Sequence, residues 1–306
     1  MNIDSRPSPK DGTPVWRAEM IVDTRSILGE GPLWDVDESV LWWIDTKNHL
    51  VHRYSPADGS NVSYDVGDQV GAVVLRERGG LLLALRSGFA GFDPQKGEVE
   101  IIVDPESHLP ENRLNDGKVD PRGRFWGGSM EDAEVNMDRG ALYCLHTDRH
   151  FEKILGGVGV SNGIVWSTDA KTMYYVDSPT RRVDVFDYDD ESGTVANRRV
   201  AFRIPDGMGF PDGMAIDVED KLWVALWGAH CVGRFAPETG ELLGVVEVPT
   251  SHVSACAFGG PNLDELFVTT ARVHMADEQL QEEPHAGSLF HAHVGVRGRT
   301  FPAYAG

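Results

Sequence analysis

The stretch FPDGMAIDVEDKLWVALW, Phe210 to Trp227, sets an acid at the mouth of a short apolar run, a second acid at its end, and a longer apolar and aromatic run behind a charged segment. Asp and Gly are favoured in turns, because Asp bonds its own backbone and Gly takes positive φ freely. DVEDK therefore reads as a turn between two strands, and LWVALW as a strand buried on both faces. The fold is decided by the recurrence of this unit. DVDESVLWWID, RERGGLLLAL, DPRGRFWGGSM, STDAKTMYYVD, DVEDKLWVALW and GGPNLDELFVTT each join a turn to an apolar strand, at a spacing of roughly 40 to 50 residues, the period of propeller blades.

A second β-like stretch follows each unit: LVHRYSPADG, FAGFDPQKG, ALYCLHTD, RVDVFDYDDESG, CVGRFAPETG and SLFHAHVGVRG. Each unit thus carries two clear strands and a hairpin signal, with the intervening segments left to complete a four-stranded sheet. The predicted fold is all-β, a six-bladed β-propeller. A pair of β-sandwiches is the competing architecture, but one unit repeated over nearly the whole chain favours radial stacking. HLPENRLNDG and VHMADEQLQEEPHAG interrupt the repeat and read as polar, solvated connections.

Composition agrees with a soluble globular chain. The 306 residues are 41% hydrophobic, enough for a sizeable core, and 34 glycines with 17 prolines imply many turns and few long helices. A formal net charge of -20 excludes nucleic acid and anionic membrane surfaces as expected partners. Cys144, Cys231 and Cys256 are far apart and in no metal-ligand spacing, so they read as buried reduced thiols. The opening MNIDSRPSPKDGTP has no signal-peptide pattern, and no apolar run approaches the roughly 18 residues of a membrane span. The expectation is a cytoplasmic protein, a monomer or small homo-oligomer, with residues 1–14 a loose tail and 15–306 a single propeller domain.

The strand preceding each turn would run innermost: EGPLWD, GAVVLR, NDGKVD, NGIVWS, DGMAID and SACAFG. Aligned without gaps, their first positions are Glu30, Gly71, Asn115, Asn162, Asp212 and Ser254. Equivalent positions of inner strands form a ring at one end of the channel, so Glu30, Asn115, Asn162 and Asp212 bring side-chain oxygens together. Confined carboxylates are costly unless they are paired or hold a cation, and no Lys enters the ring. One divalent metal ion is the economical explanation. Oxygen ligands suit Ca²⁺, Mn²⁺ or Mg²⁺, while Zn²⁺ and Fe²⁺ also accept carboxylates. Four independent turn residues would be the alternative.

The motifs LGEGPLWD, RLNDGKVDPRGRFWGGSM, SNGIVWSTDAKTMYYVD, FPDGMAID and FGGPNLDELFVTTAR resemble those of the regucalcin/gluconolactonase family, six-bladed propellers that hydrolyse sugar lactones. The resemblance runs from about Leu28 to Leu289. It implies one divalent metal held by Glu30, Asn162 and Asp212, and a substrate held by Arg113 and Asn115. Where some members carry a substrate-binding Glu, this chain has Ala133 after Glu131 and Asp132. The expected activity is metal-dependent opening of an aldonolactone, with Asp212 also taking the proton of the attacking water. A calcium-binding regulatory propeller without turnover and an organophosphate ester hydrolase are the alternatives. No histidine is assigned to catalysis: none forms a helical i, i+4 metal pair, and HAH near the end reads as a strand with both rings on one face. Trp34, Trp42, Trp43, Trp126, Trp166 and Trp223 read as blade core or channel wall. Trp227, just past a strand, is the tryptophan to watch. GVGVSNG lacks the strand, helix and acidic sequel of a nucleotide fingerprint.

Overall fold

Asp217 shows how one sequence unit becomes a blade. In the computed structural model, which describes residues 12–306, its carboxylate is fully buried. Oδ1 accepts from the backbone N–H of Glu219 and of Lys221, both at 2.9 Å, closing the turn. Oδ2 accepts from Trp223 Nε1 at 3.0 Å and Arg234 Nε at 2.8 Å, fixing the next two strands. A buried indole N–H needs such an acceptor. Asp120 repeats the device, with Arg122 N and Arg124 N on Oδ1 and Trp126 Nε1 on Oδ2, and also receives the Tyr188 hydroxyl from the following blade at 2.8 Å.

The six repeats form six antiparallel sheets in chain order, the all-β propeller expected. Their inner strands are Gly29–Asp35, Val70–Leu75, Asn112–Val119, Ser161–Trp166, Phe210–Ile216 and Val253–Gly259. The core lies between blades: Trp42, Val73, Leu83 and Phe92 pack blade one on blade two, and Trp223, Cys256, Phe258 and Phe290 pack five on six. Trp43, Trp126, Trp166 and Trp223 are fully buried, and Trp34 and Trp42 nearly so. All three cysteines are buried and unpaired, and burial pushes the Cys231 and Cys256 thiols up to about 12.

The ring is closed by the start of the chain. Glu19–Val22 pairs antiparallel with Leu289–His293 as the outermost strand of blade six, and Val15–Arg17 runs parallel to Glu241–Glu247 as a fifth strand on blade five. Pairing both termini into the sheets covers edges that would otherwise be open to other chains. Of the expected tail at 1–14, residues 1–11 lie outside the described residues. The far end of the chain crosses the turn side of the channel. Val218 N donates to Arg297 O at 3.0 Å, Arg299 Nη1 to Trp166 O at 3.2 Å, Tyr304 N to Leu75 O at 2.8 Å and Tyr304 OH to His146 O at 2.8 Å. This strap touches blades five, four, two and three in turn.

The segment VHMADEQLQEEPHAG is not simply a solvated loop. It contains the helix Asp277–Glu282. Just after that helix Glu283 is buried, accepting from Thr250 Oγ1 at 2.8 Å and Ser251 N at 2.6 Å, so the excursion is docked on the entrance to blade six. No helix among the described residues is long and apolar enough to cross a membrane.

Candidate active site

Every inner strand breaks register with its neighbour at the same height. The breaks fall between Glu30 and Leu33, Val70 and Ala72, Leu114 and Gly117, Asn162 and Ile164, Pro211 and Met214, and Val253 and Ala255. Each ring position lies at or inside one of these bulges, which re-aim side chains and often sit beside active sites. Gly71 is the ring member without a side chain because a Cβ there would lie 2.5 Å from the carbonyl oxygens of Leu114 and Asn115. Close approach of inner strands likewise explains the Gly that follows Asn162, since a Cβ on Gly163 would lie 2.7 Å from Asp212 O. Ser254 turns its hydroxyl to Gly29 O at 2.5 Å, tying blade six to blade one.

The other four side chains are brought together and buried. Asn162 Nδ2 donates to Ser178 Oγ at 2.8 Å, and Ser178 Oγ in turn donates to Pro211 O at 2.6 Å. With the amide nitrogen so engaged, Asn162 Oδ1 faces the ring, where Asn115 Nδ2 reaches it at 3.0 Å. Asn115 is oriented the other way. Its oxygen accepts from Arg113 Nη1 at 2.5 Å, and its nitrogen also donates to Ser161 O at 2.8 Å. The two asparagines thus differ in what they present, oxygen from Asn162 and N–H from Asn115, a distinction that sequence alignment alone could not draw.

The two carboxylates are poorly compensated. Glu30 Oε2 accepts only from the N–H of Gly31, at 3.1 Å, and Asp212 Oδ1 is buried with no hydrogen-bond partner among the described residues. Burial and the nearby Asp116 charge push Glu30 up from 4.5 to about 8, with Arg113 a weaker opposing influence. Burial, then the charges of Glu30 and Asp116, hold Asp212 well above the ordinary carboxyl range. A divalent cation fits this donor set: an orphaned buried oxygen, a second repelled carboxylate and an inward amide oxygen are what such an ion would satisfy.

Arg113 is buried at the rim. Its Nε donates to Asp132 at 2.9 Å and its Nη1 to Asn115 and Leu114 O, leaving Nη2 without a partner among the described residues. Asp132 also receives Lys47 at 2.5 Å and Arg86 at 3.3 Å. Burial alone would raise its carboxyl, but Lys47, Arg113 and Gln69 bring it down to about 2. Ala133, the departure noted in the sequence, is exposed. The next residue, Glu134, has φ 55, lies 3.9 Å from His274 across the mouth, and acts electrostatically on both Arg113 and Asp212. Glu131 instead anchors the following loop through Val135 N, Asn136 N and Arg139.

Sequence reading missed three channel residues. Asp116 and Lys118 line a small internal cavity with Gly31, Gly213, Met214 and Cys256. Burial raises Asp116 and lowers Lys118, whose ammonium donates to Met214 O at 2.8 Å. Ser178, which orients Asn162, sits in a short 3₁₀ turn after the second strand of blade four. Only Asp116 left a signal, as the neighbour of Asn115 in NDG. Trp227 is half-buried and stacks on His252, the ring centroids 4.2 Å apart.

Fold and ring together define a propeller with a ring of acid and amide side chains at one end of its channel. Residues 28–272 match the SMP-30/Gluconolactonase/LRE-like region, and the chain belongs to that family. Regucalcin of Xenopus laevis is 36% identical over 295 residues, covering 95% of this chain and 99% of its own. A Bacillus subtilis protein named "Putative sugar lactone lactonase YvrE" is 35% identical over 289 residues, covering 94% and 99%. Among solved structures, the calcium-binding protein regucalcin of Agrobacterium tumefaciens superposes with a TM-score of 0.91 at 28% identity, covering 95% of this chain and 98% of its own.

Proposed function

We propose that this chain is a metal-dependent lactonase that opens a sugar lactone to the aldonic acid, with residues 15–306 acting as one unit. The observation that carries the reading is the orphaned Asp212 Oδ1, buried beside the repelled Glu30 carboxylate in a ring that also holds an inward amide oxygen. Glu30, Asn162 and Asp212 would hold the ion. When bound, a divalent ion supplies charge balance for the carboxylates and Lewis-acid polarisation of the lactone carbonyl.

The chain's own groups do the rest. Asp212 takes a proton from the water that adds to the carbonyl carbon. The ring C–O bond then breaks, the proton returns to the departing ring oxygen, and a hydroxy acid results. Arg113 offers the free Nη2 donors to lactone or product oxygens, while its Nε and Nη1 are fixed by Asp132 and Asn115. Asn115, whose two amide hydrogens go to Ser161 O and Asn162 Oδ1, positions both Arg113 and Asn162 beside the same space. A calcium-binding protein without turnover is the second reading, favoured by the likeness to the calcium-binding regucalcin of Agrobacterium tumefaciens. A purely ion-holding ring gives no role to the unpaired Nη2 of Arg113.

The decisive experiment follows lactone opening by a pH indicator on metal-stripped protein titrated separately with Ca²⁺, Zn²⁺, Mn²⁺, Mg²⁺ and anaerobic Fe²⁺, against pentono- and hexonolactones. Restoration of turnover by an ion supports the lactonase; calcium binding with every lactone at its uncatalysed rate supports the second reading. In the active protein, Arg113→Ala is expected to raise KM about 10- to 100-fold, the value of a charge-assisted bond. Asp132 retains Lys47 and Arg86, so the fold should persist. Arg113→Lys should recover little, because an ammonium cannot reproduce the fork. An unchanged KM in both variants would remove Arg113 from the substrate site.

A further inference from the structure

Outside the channel, one set of metal-ligating side chains converges among the described residues, and the function proposed above makes no use of it. The strand Leu289–His293 of blade six carries His291 and His293 two residues apart, so both rings leave the same face. Register pairs Glu265 with His293 and Phe267 with His291, which brings Glu265 onto that face. Glu265 Oε2 lies 3.2 Å from His291 Nδ1, the two imidazole centroids are 5.7 Å apart, and one ligand atom from each of the three residues lies within 4.8 Å of the others. Register also sets Glu19 of the chain-closing strand opposite His291 on its other flank. Directly opposed residues have Cβ atoms about 5 Å apart, so a second carboxylate, and a fourth candidate ligand, stands beside the cluster.

We propose that Glu265, His291 and His293 form a second, peripheral site for an imidazole-preferring divalent ion, Zn²⁺ foremost. The ligand chemistry distinguishes it from the channel: two imidazoles and a carboxylate select zinc over calcium or magnesium, whereas the channel ring offers oxygen alone. Zinc bonds to such ligands are about 2.0–2.2 Å, so the three atoms must draw closer than they now stand. Rotation of side chains suffices, since Glu265 and His291 are partly exposed and His293 is exposed. Phe267, stacked on Trp34 at 5.6 Å and with its ring 6.2 Å from that of His291, gives the cluster an apolar flank. An ion here ties the strand Glu265–Thr270 to Leu289–His293, and through Glu19 reaches the strand that closes the ring. It acts as a clip on blade six rather than as a reaction centre.

Zinc binding is measured by equilibrium dialysis of metal-stripped wild-type protein and of the variant His291→Ala/His293→Ala, which share an intact channel, so the comparison does not depend on the function proposed for the channel. The double variant is expected to hold one zinc fewer per chain and to lose the corresponding rise in thermal midpoint. His293→Ala and Glu265→Gln, single changes at partly or fully exposed side chains, should each weaken that zinc by about tenfold or more. Imidazole ¹⁵N resonances of His291 and His293 should shift on zinc addition to the wild type. Equal stoichiometry and equal thermal shift in all four proteins, or unmoved imidazole resonances, would overturn the site and leave only a Glu265–His291 hydrogen bond.

Discussion

Replacing Asp212 by Asn is expected to lower kcat for lactone opening by about 10³-fold, within the range attributed to loss of a positioned general base. The same substitution should stabilise the metal-free protein, by about 1–2 kcal/mol, because it removes one member of a buried, mutually repelling carboxylate pair while keeping its volume. Opposite signs on activity and on metal-free stability identify a residue held in place for its chemistry rather than for the fold. Activity is measured in ion-saturated enzyme with metal content checked by elemental analysis, and stability by denaturant titration in chelator. Full turnover in Asp212→Asn with metal still bound would transfer the proton to another group. A loss of metal-free stability would mean that the carboxylate is compensated in solution.

The second large effect is on the pH dependence of the metal-free fold. Glu30 holds its proton up to about 8 in the folded protein but releases it near 4.5 when the chain unfolds. Between those values the folded state binds more protons than the unfolded state, so stability must fall as pH rises through the window. Asp212 is raised in the same direction and adds to the slope. The loss should be on the order of a few kcal/mol, following from about 1.4 kcal/mol for each unit of displacement. A divalent ion in the ring favours the ionised carboxylates and should flatten the curve. Denaturation midpoints from about pH 5 to pH 9, with chelator and with ion, give the comparison. A metal-free profile that is level or rises with pH contradicts the burial of this pair.

The blades were legible because their turns carry chemistry in the sequence itself. The span from Asp217 to Trp223 displays a turn acid and a buried aromatic at a fixed offset, and the structure uses one to bind the other. The ring was legible for a related reason: a bulge recurs at one height in every inner strand, so a gap-free alignment of EGPLWD with DGMAID compares equivalent places. The bulge itself left no mark. Strict alternation sends Asp116 away from Asn115, yet both fall inside the same register break, and Asp116 acts on Glu30 and Asp212. The closing strand Glu19–Val22 was invisible because it is short and largely exposed, and its partner lies at the opposite end of the chain. Nor could spacing show that Asp132 gathers Lys47, Arg86 and Arg113, three residues from three different blades.

The strap from Arg297 to Tyr304 has a bearing on traffic. It lies across the turn side of the channel, under the Lys118 ammonium, which sits 5.1 Å from the Phe301 ring, while the ring of Glu30, Asn162 and Asp212 lies at the other side. The strap and Lys118 thus occupy the turn side of the channel. With that side occupied, the Arg113 rim would serve as entrance and exit alike, and an acid formed inside would depart past the guanidinium that suits its carboxylate. On the lactonase reading, the exit rather than the chemistry becomes the place where product accumulates and competes with the next substrate.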